Sequence, residues 1–450
     1  MSKIIKLKKG YDIKLVGEAQ QQIVAAPMPK TFAIQPQEFR HTKFKVVVEV
    51  GTEVKAGSPL LFDKAHPELQ ITSPVSGEVV EVRRGEKRVL EAIVILADGK
   101  TEYIDFGAAN PNNLSADEIK IKLLASGAWA LLRQRPYNVL ANPDELPKSI
   151  FISGFDTAPL APAVDFAIAG EAAAFQAGID AIKKMTGVSI HLNLHNSKSK
   201  SEVLTQAKGV TINKIEGLHP AGNVGVQIHH LDAIKKGDRV WHIHPCDVVI
   251  MGRLFLTGKL DMTRVVAATG SEFEKPQYFK TTVGAQLSSV LNGNLKPGKV
   301  RIITGNVLTG TRSSVEGFLG FYDQQITAIP EGDDLEFLGW LVPSYPRPDI
   351  SKSFLSGWFK NRSYKANTNM HGEERAFVVT GQYEQVLPMD ILPTFLLKSI
   401  IYQDIEEMEE LGIYEIAEED MALCEFVCTS KIPVQKIIRE GLDLMYQEEQ

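Results

Sequence analysis

The stretch Gly217-Leu218-His219-Pro220-Ala221-Gly222-Asn223-Val224-Gly225 constrains this chain most, because it interrupts regular structure in the middle of an otherwise well-patterned region. Three glycines and a proline in nine residues continue neither a helix nor a strand. Glycine admits positive φ and close backbone approach, so the segment reads as a shaped loop with exposed amide N–H groups. Gln227-Ile228-His229-His230 complete it, and beyond residues 235–239 comes the run from Val240 through His242, His244, Pro245 and Cys246 to Gly252, read as a strand. Three of the ten histidines fall in the loop stretch and two on that run. A glycine loop beside histidine-bearing strands marks a place where something binds.

The rest of the chain bounds what that something is. A length of 450 residues allows two to four domains with a sizeable core. Hydrophobic residues at 44% and charged residues at 23% are ordinary for a globular protein, and a net charge of -6 argues against a general nucleic-acid binder. No apolar run approaches the roughly 20 residues that cross a bilayer. The N-terminus lacks the apolar core and cleavage site of a signal peptide. Cys246, Cys424 and Cys428 are too few and too oddly placed for a secreted disulfide framework. A cytoplasmic setting is the expectation.

Read in order, the pattern predicts a multidomain α/β and β chain. Residues 1–26 form a short β arm. Residues 27–106 are all-β, with strands separated by Gly and Pro turns as in Val50-Gly51-Thr52-Glu53-Val54-Lys55-Ala56-Gly57-Ser58-Pro59-Leu60 and Ser73-Pro74-Val75-Ser76-Gly77-Glu78-Val79. This skeleton resembles the biotinyl/lipoyl carrier fold and places Lys64 near the tip where a carrier presents its modified lysine. His66-Pro67 lengthens the hairpin there, so an unmodified barrel or sandwich is expected. Residues 107–256 alternate helix and strand, starting with a serine-capped helix at Ser115, and imply a doubly wound, Rossmann-like domain. Residues 257–340 read as a β-grasp-like module with a short helix near Leu287–Leu291. Residues 341–375 read as a long functional loop and residues 376–450 as a helical domain. That tail has no lysine or arginine from Ser399 to Ser430, and its acids read as a solvated face or partner surface.

This order of parts resembles the A-subunit family of sodium-translocating NADH:quinone oxidoreductases over nearly the whole chain. The most specific pieces are Lys8-Lys9-Gly10-Tyr11-Asp12-Ile13, Arg84-Gly85-Glu86-Lys87-Arg88-Val89-Leu90, His219-Pro220-Ala221-Gly222, Gly258-Lys259-Leu260, Leu387-Pro388-Met389-Asp390-Ile391-Leu392-Pro393-Thr394 and Ala422-Leu423-Cys424-Glu425-Phe426-Val427-Cys428. A more distant resemblance is to the NADH-oxidising flavin subunit of the Rnf complex and complex I. The family resemblance implies a peripheral subunit on the cytoplasmic side of the bacterial inner membrane. Flavins, iron–sulfur and quinone would be carried by other subunits of a complex that couples NADH oxidation to sodium export. The chief partner would be the integral membrane subunit that holds the quinone site.

The distant relative supplies a test. A flavin site that oxidises NADH needs a glycine loop that meets phosphate at a helix N-terminus. The corresponding stretch here, Ser126-Gly127-Ala128-Trp129-Ala130-Leu131-Leu132-Arg133-Gln134-Arg135-Pro136, keeps one glycine and fills the space with Trp129 and leucines. An iron–sulfur cluster wants four thiolates, and the tail offers Cys424 and Cys428 only, which read as buried thiols. The histidines have a metal-ligand spacing but no accompanying carboxylate pair, and read as hydrogen-bonded supports of the loop. The expectation is a cofactor-free, metal-free chain that is not catalytic by itself. The alternative is an NADH-oxidising flavoprotein subunit. Around the mouth of the vacated flavin pocket, Trp129, Arg133, Arg135 and Phe155, with His219, His229 and His230, would line a slot for a quinone headgroup. Phe354, Leu355, Trp358 and Phe359 fall at i, i+1, i+4 and i+5, which gives residues 350–362 one apolar helix face suited to docking a partner.

Overall fold

The computed structural model describes residues 4–333, 348, 350, 358 and 362–449. The N-terminal arm holds two strands, β1 (Ile4–Lys6) and β2 (Gln20–Ala25), which join two different sheets. Seven short strands follow: β3 (Thr31–Ile34), β4 (Phe44–Val46), β5 (Glu53–Val54), β6 (Pro59–Asp63), β7 (Gln70–Thr72), β8 (Gly77–Arg84) and β9 (Leu90–Ala97). They make an antiparallel sheet in the order β3-β9-β8-β5 and another in the order β4-β6-β7, a barrel-sandwich closed by Phe32, Leu60, Ile71, Val79, Ile93 and Ile95. Between β6 and β7, Lys64 is exposed. His66 contacts Asp63 at 3.2 Å and Asp144 at 3.3 Å, pinning this turn to the neighbouring domain.

Helix α1 (Ala116–Ser126) starts at the expected cap: the Glu118 N–H donates to Ser115 Oγ at 3.2 Å while Glu118 Oε2 accepts from the Ser115 N–H at 2.7 Å. Beyond it lie β10 (Arg133–Arg135), β11 (Val139–Leu140) and β12 (Ser149–Ser153), then helices α2 (Val164–Ala167) and α3 (Ala172–Thr186). The chain continues through β13 (Ser189–His195), α4 (Glu202–Thr205), β14 (Thr211–Glu216), α5 (Val224–Asp232), β15 (Val240–His242) and α6 (Pro245–Thr257). These strands and β1 form a seven-stranded sheet in the order β1-β14-β13-β12-β15-β10-β11, parallel from β1 to β15. Helices α3 and α6 pack backbone to backbone: a Cβ on Gly252 would lie 1.7 Å from the Ala174 carbonyl oxygen.

Two expectations are corrected here. The apolar run from Val240 is a strand only to His242; His244 caps α6 and Pro245 occupies its first turn. A proline cannot donate to a ladder but fits the first helical turn, and an apolar run buried on all sides carries no period to tell helix from strand. The glycine loop likewise ends at Asn223, so His229 and His230 lie on α5 rather than in the loop.

The third sheet takes β16 (Thr263–Thr269), β17 (Gln277–Thr282), β18 (Val300–Thr304), β19 (Thr311–Ser313) and β20 (Gln325–Pro330), ordered β19-β18-β20-β16-β17-β2, with the short α7 (Ser288–Leu291) packed on it. The C-terminal region is helical: α8 (Tyr383–Val386), α9 (Pro393–Tyr402), α10 (Ile405–Glu410), α11 (Glu418–Val427) and α12 (Val434–Glu448). Cys246, Cys424 and Cys428 are free and buried, and the Tyr383 hydroxyl donates to Cys428 Sγ at 2.9 Å.

The acids of the tail divide. Glu406, Glu407 and Glu410 are exposed, as a solvated face requires. The others are turned inward. Glu409 meets Lys236, Glu415 lies 2.7 Å from His229, and Glu418 pairs with Arg40 and with Arg439. Glu419 and Asp420 grip Arg135 at 2.5 and 3.0 Å. Arg135 is fully buried on β10, so the cation-free tail is matched to cations elsewhere in the chain. Burial pushes the Asp420 carboxyl up to about 6 against the pull of Arg135. Removing the guanidinium strands a buried carboxylate, so Arg135→Ala is expected to cost about 3–5 kcal/mol. Urea unfolding of the full chain measures this, and a loss below about 1 kcal/mol would contradict it.

Candidate functional site

In the seven-stranded sheet the chain leaves β12 toward β13 on one side and returns to β15 on the other. Such a reversal leaves a crevice beyond the carboxyl ends of the two strands, where open α/β sheets bind their ligands. A cavity of about 190 Å³ lies there. Ser153, Phe155 and Asp156 after β12 and His242, Ile243, His244 and Asp247 after β15 line it. Opposite stand Leu308 and Tyr322 of the third sheet's connections, Leu131 and Arg133 before and on β10, and Glu419 of α11.

The glycine loop forms one wall, and it is held from both sides. His219 donates its backbone N–H to Asp12 Oδ1 at 2.9 Å, and its carbonyl accepts from the Tyr11 N–H at 2.9 Å. Gly10 permits this approach: with φ at +131°, a Cβ there would lie 2.4 Å from the His219 carbonyl oxygen. On the other side the Gly222 N–H donates to Thr157 Oγ1 at 2.9 Å, and a Cβ on Gly222 would sit 2.6 Å from the Thr157 nitrogen. The arm motif around Gly10 and the loop after β12 thus clamp the glycine loop between them.

The wall's charges are largely neutralised. Arg264 meets Asp247 at 3.0 Å, both buried, and Arg135 meets Glu419. Burial holds His219 down at about 4; burial, Arg264 and Arg133 hold His244 down at about 3. His242 is pushed well below the usual histidine range by burial, Arg133 and Arg135. All three rings are therefore neutral at pH 7. Arg133 lies over the Tyr322 ring, 4.7 Å from its centroid, and forms no ion pair among the described residues. It is the cation the cavity offers.

Of the residues expected to line a slot, Arg133, Phe155 and His219 border this cavity. Trp129 does not: it is 1% exposed, its Nε1–H donates to the Ala141 carbonyl at 2.7 Å, and its ring packs edge-on against Trp241. Arg135 is consumed by its ion pairs. His229 accepts from the Asp390 N–H at 3.0 Å and faces Glu415, while His230 Nε2 lies 2.7 Å from the Pro388 carbonyl oxygen, so both fasten the helical region instead. Phe354, Leu355 and Phe359 lie outside the described residues; Trp358 is 71% exposed. Tyr322, Asp247 and Glu419 are wall residues that the sequence did not single out. His244 entered only as a weighed metal ligand, although a histidine directly before a helix-starting proline carries a capping signal. Among the described residues no three His, Cys, Asp or Glu side chains are placed to hold a metal.

Three family domains match the chain: the NqrA N-terminal barrel-sandwich hybrid domain over residues 5–98, the NqrA second alpha/beta domain over 114–260, and the NQRA C-terminal domain over 265–315. The A subunit of the Na(+)-translocating NADH-quinone reductase of Yersinia pseudotuberculosis is 37% identical over 448 residues, 99% of this chain and 100% of the relative. The chain belongs to the NqrA family. The A subunit from Serratia proteamaculans is 36% identical over 450 residues and that from Pseudomonas aeruginosa 37% over 448, again with 99% of this chain and 100% of each relative covered. This NqrA-family chain is accordingly one subunit of a Na(+)-translocating NADH-quinone reductase, and other subunits are its partners. A solved NAD+-reducing [NiFe]-hydrogenase aligns with 77% of this chain and 63% of its own at a TM-score of 0.38 and 11% identity, too loose a likeness to carry an inference. No helix among the described residues is long and apolar enough to cross a membrane.

Behind Tyr322 lies an acid that titrates near neutrality. Glu38, on the turn Pro36–Glu38 of the barrel region, accepts from the Phe321 N–H with both oxygens, at 3.1 and 3.0 Å. Burial, and secondarily Asp323, push it up to about 8. A carboxyl with a raised folded pKa binds an extra proton in the native state between about 4.5 and 8, so stability is lost as pH rises through that window. Glu38→Gln should flatten this decline and stabilise the protein at pH 8.5 by about 2 kcal/mol, less than full linkage because part of the side chain meets solvent. Thermal unfolding of both proteins from pH 5 to 9 measures the difference, and parallel pH profiles would refute it.

Proposed function

We propose that this chain is a cofactor-free peripheral subunit of the sodium-pumping NADH:quinone oxidoreductase and that its cavity contributes to quinone binding. The observation that carries the reading is the cavity's lining. Flat and apolar faces from Phe155, Tyr322, Leu131 and Leu308 surround one cation, Arg133, and neutral imidazoles. A quinone headgroup is a flat, uncharged ring with carbonyl oxygens, and it needs apolar faces plus a few hydrogen-bond donors. In this reading the complex couples NADH oxidation and quinone reduction to sodium export, with flavins and iron–sulfur on other subunits. The chain sits on the cytoplasmic side of the bacterial inner membrane, held chiefly by the integral quinone-site subunit. Residues 350–362, with Phe354, Leu355, Trp358 and Phe359, serve docking. The α/β region is read as Rossmann-like and the third sheet as β-grasp-like, with domain limits at 27–106, 107–256, 257–340 and 376–450. The alternative of a flavoprotein subunit is not favoured, since the relatives are named as the A subunit of the quinone reductase.

The test is calorimetric titration of the purified full chain with ubiquinone-1. Saturable binding that weakens about tenfold in Phe155→Ala, an aromatic contact worth roughly 1–1.5 kcal/mol, is the expected result. Absence of binding in both the isolated chain and the assembled complex, or equal affinity in the variant, would overturn the assignment of this cavity.

A further inference from the structure

His244 does two things with one ring. It is the N-cap of α6, where its Nδ1 accepts the Cys246 N–H at 3.3 Å. A backbone N–H can only donate, so Nδ1 carries no proton in this arrangement. A neutral imidazole has one proton, and capping therefore places it on Nε2. This tautomer follows from the cap itself and not from any neighbouring hydroxyl or water. His244 borders the cavity, is partly exposed, and its Nε2 has no partner among the described residues.

The surroundings keep it so. Arg133 and Arg264 stand on the same side of the site, and both oppose a second proton on this ring. Asp247, the one carboxylate of the first turn of α6, is engaged by Arg264 at 3.0 Å and is not available to pull the ring into an ion pair. Asp323 and Tyr322 face the same buried cluster, Asp323 accepting the Gly320 N–H at 3.1 Å and its carbonyl accepting from Arg264 at 3.3 Å. Every charged group packed against His244 is thus either a cation or an acid held elsewhere.

We propose that His244 presents a fixed Nε2–H as the hydrogen-bond donor that receives a carbonyl oxygen of the ligand, with Arg133 on the same wall. The assignment rests on the reading of the cavity as a quinone site and names the residue that recognises the quinone oxygen. Because the helix cap fixes the tautomer, the donor is set before the ligand arrives. The ligand class that fits is one with an uncharged acceptor oxygen on a flat ring. A ligand that offers only a donor at this point meets an N–H and is rejected.

The cap and the donor can be separated experimentally. Serine and threonine cap helices well but carry no group that reaches as far as Nε2. His244→Ser in the full chain should keep the melting temperature of the wild type while binding ubiquinone-1 about tenfold more weakly, the effect of one lost hydrogen bond. His244→Thr serves in the same way should the serine variant fail to fold. Nitrogen-15 NMR of the histidines in the wild-type chain should show His244 as the neutral Nε2–H tautomer from pH 5.5 to 8.5. Unchanged ubiquinone-1 affinity in the folded variants, or an Nδ1–H signal from His244, would overturn this assignment alone. Absence of binding by the wild-type chain and complex would overturn the quinone reading and this assignment with it.

Discussion

A fully buried guanidinium, that of Arg135, sets the terms for much of the architecture. A cation without solvent must be met by carboxylates, and both of those that meet it, Glu419 and Asp420, come from the first turn of α11. The helical region therefore cannot part from the seven-stranded sheet without exposing one charge and stranding another. The contact also dictates sequence at a distance. Asp420 Oδ2 accepts the Ala417 N–H at 3.0 Å, and a Cβ on Gly225 would lie 2.1 Å from that same oxygen. Only a residue without a side chain lets α5 pass so close. Because Glu419 also borders the cavity, the pair that fastens the helical region completes the site's wall.

What the sequence revealed was what neighbours along the chain decide. The capping box at Ser115 and Glu118, the short strands of the barrel-sandwich and the helices of the tail rest on contacts a few residues apart, and they stand where the pattern puts them. Partners far along the chain were not legible. Ile4–Lys6 and Gln20–Ala25 look alike as β segments, yet one extends the α/β sheet beside β14 and the other the third sheet beside β17. The acids of the tail read as a solvated face because their cations, Arg40, Arg135, Lys236 and Arg439, lie mostly outside the tail.

The site was legible in the same uneven way. Gly217–Gly225 announces a loop with close backbone approach, and its glycines are the positions where a Cβ would strike Thr157 or Asp420. The residues that clamp it, Asp12 and Thr157, carry no motif. Their role comes from hydrogen bonds to a segment between 65 and 207 residues away. Trp129 fills space, as its size among small and apolar neighbours suggests, but it lines no slot, since a side chain that occupies a vacated pocket becomes core.

The balance of charge in the cavity bears on what it can accept. Asp247 and Glu419 are each met by an arginine, and the three histidines of the wall are kept neutral by burial, with nearby arginines adding to it at His242 and His244. Arg133 remains as a cation, and Asp156, its carboxylate accepting the Ala158 N–H at 2.8 Å, stands at the same cavity with the opposite sign. A dinucleotide brings a pyrophosphate that demands a glycine-lined helix N-terminus or several cations, and one arginine opposed by a carboxylate meets neither demand. An uncharged ring asks for less. It gains from the apolar faces, it is indifferent to the compensated pairs, and its oxygens take the donors that burial has kept from water. Residues with the outward look of a dismantled phosphate site thus form a wall in which charge has been cancelled pair by pair.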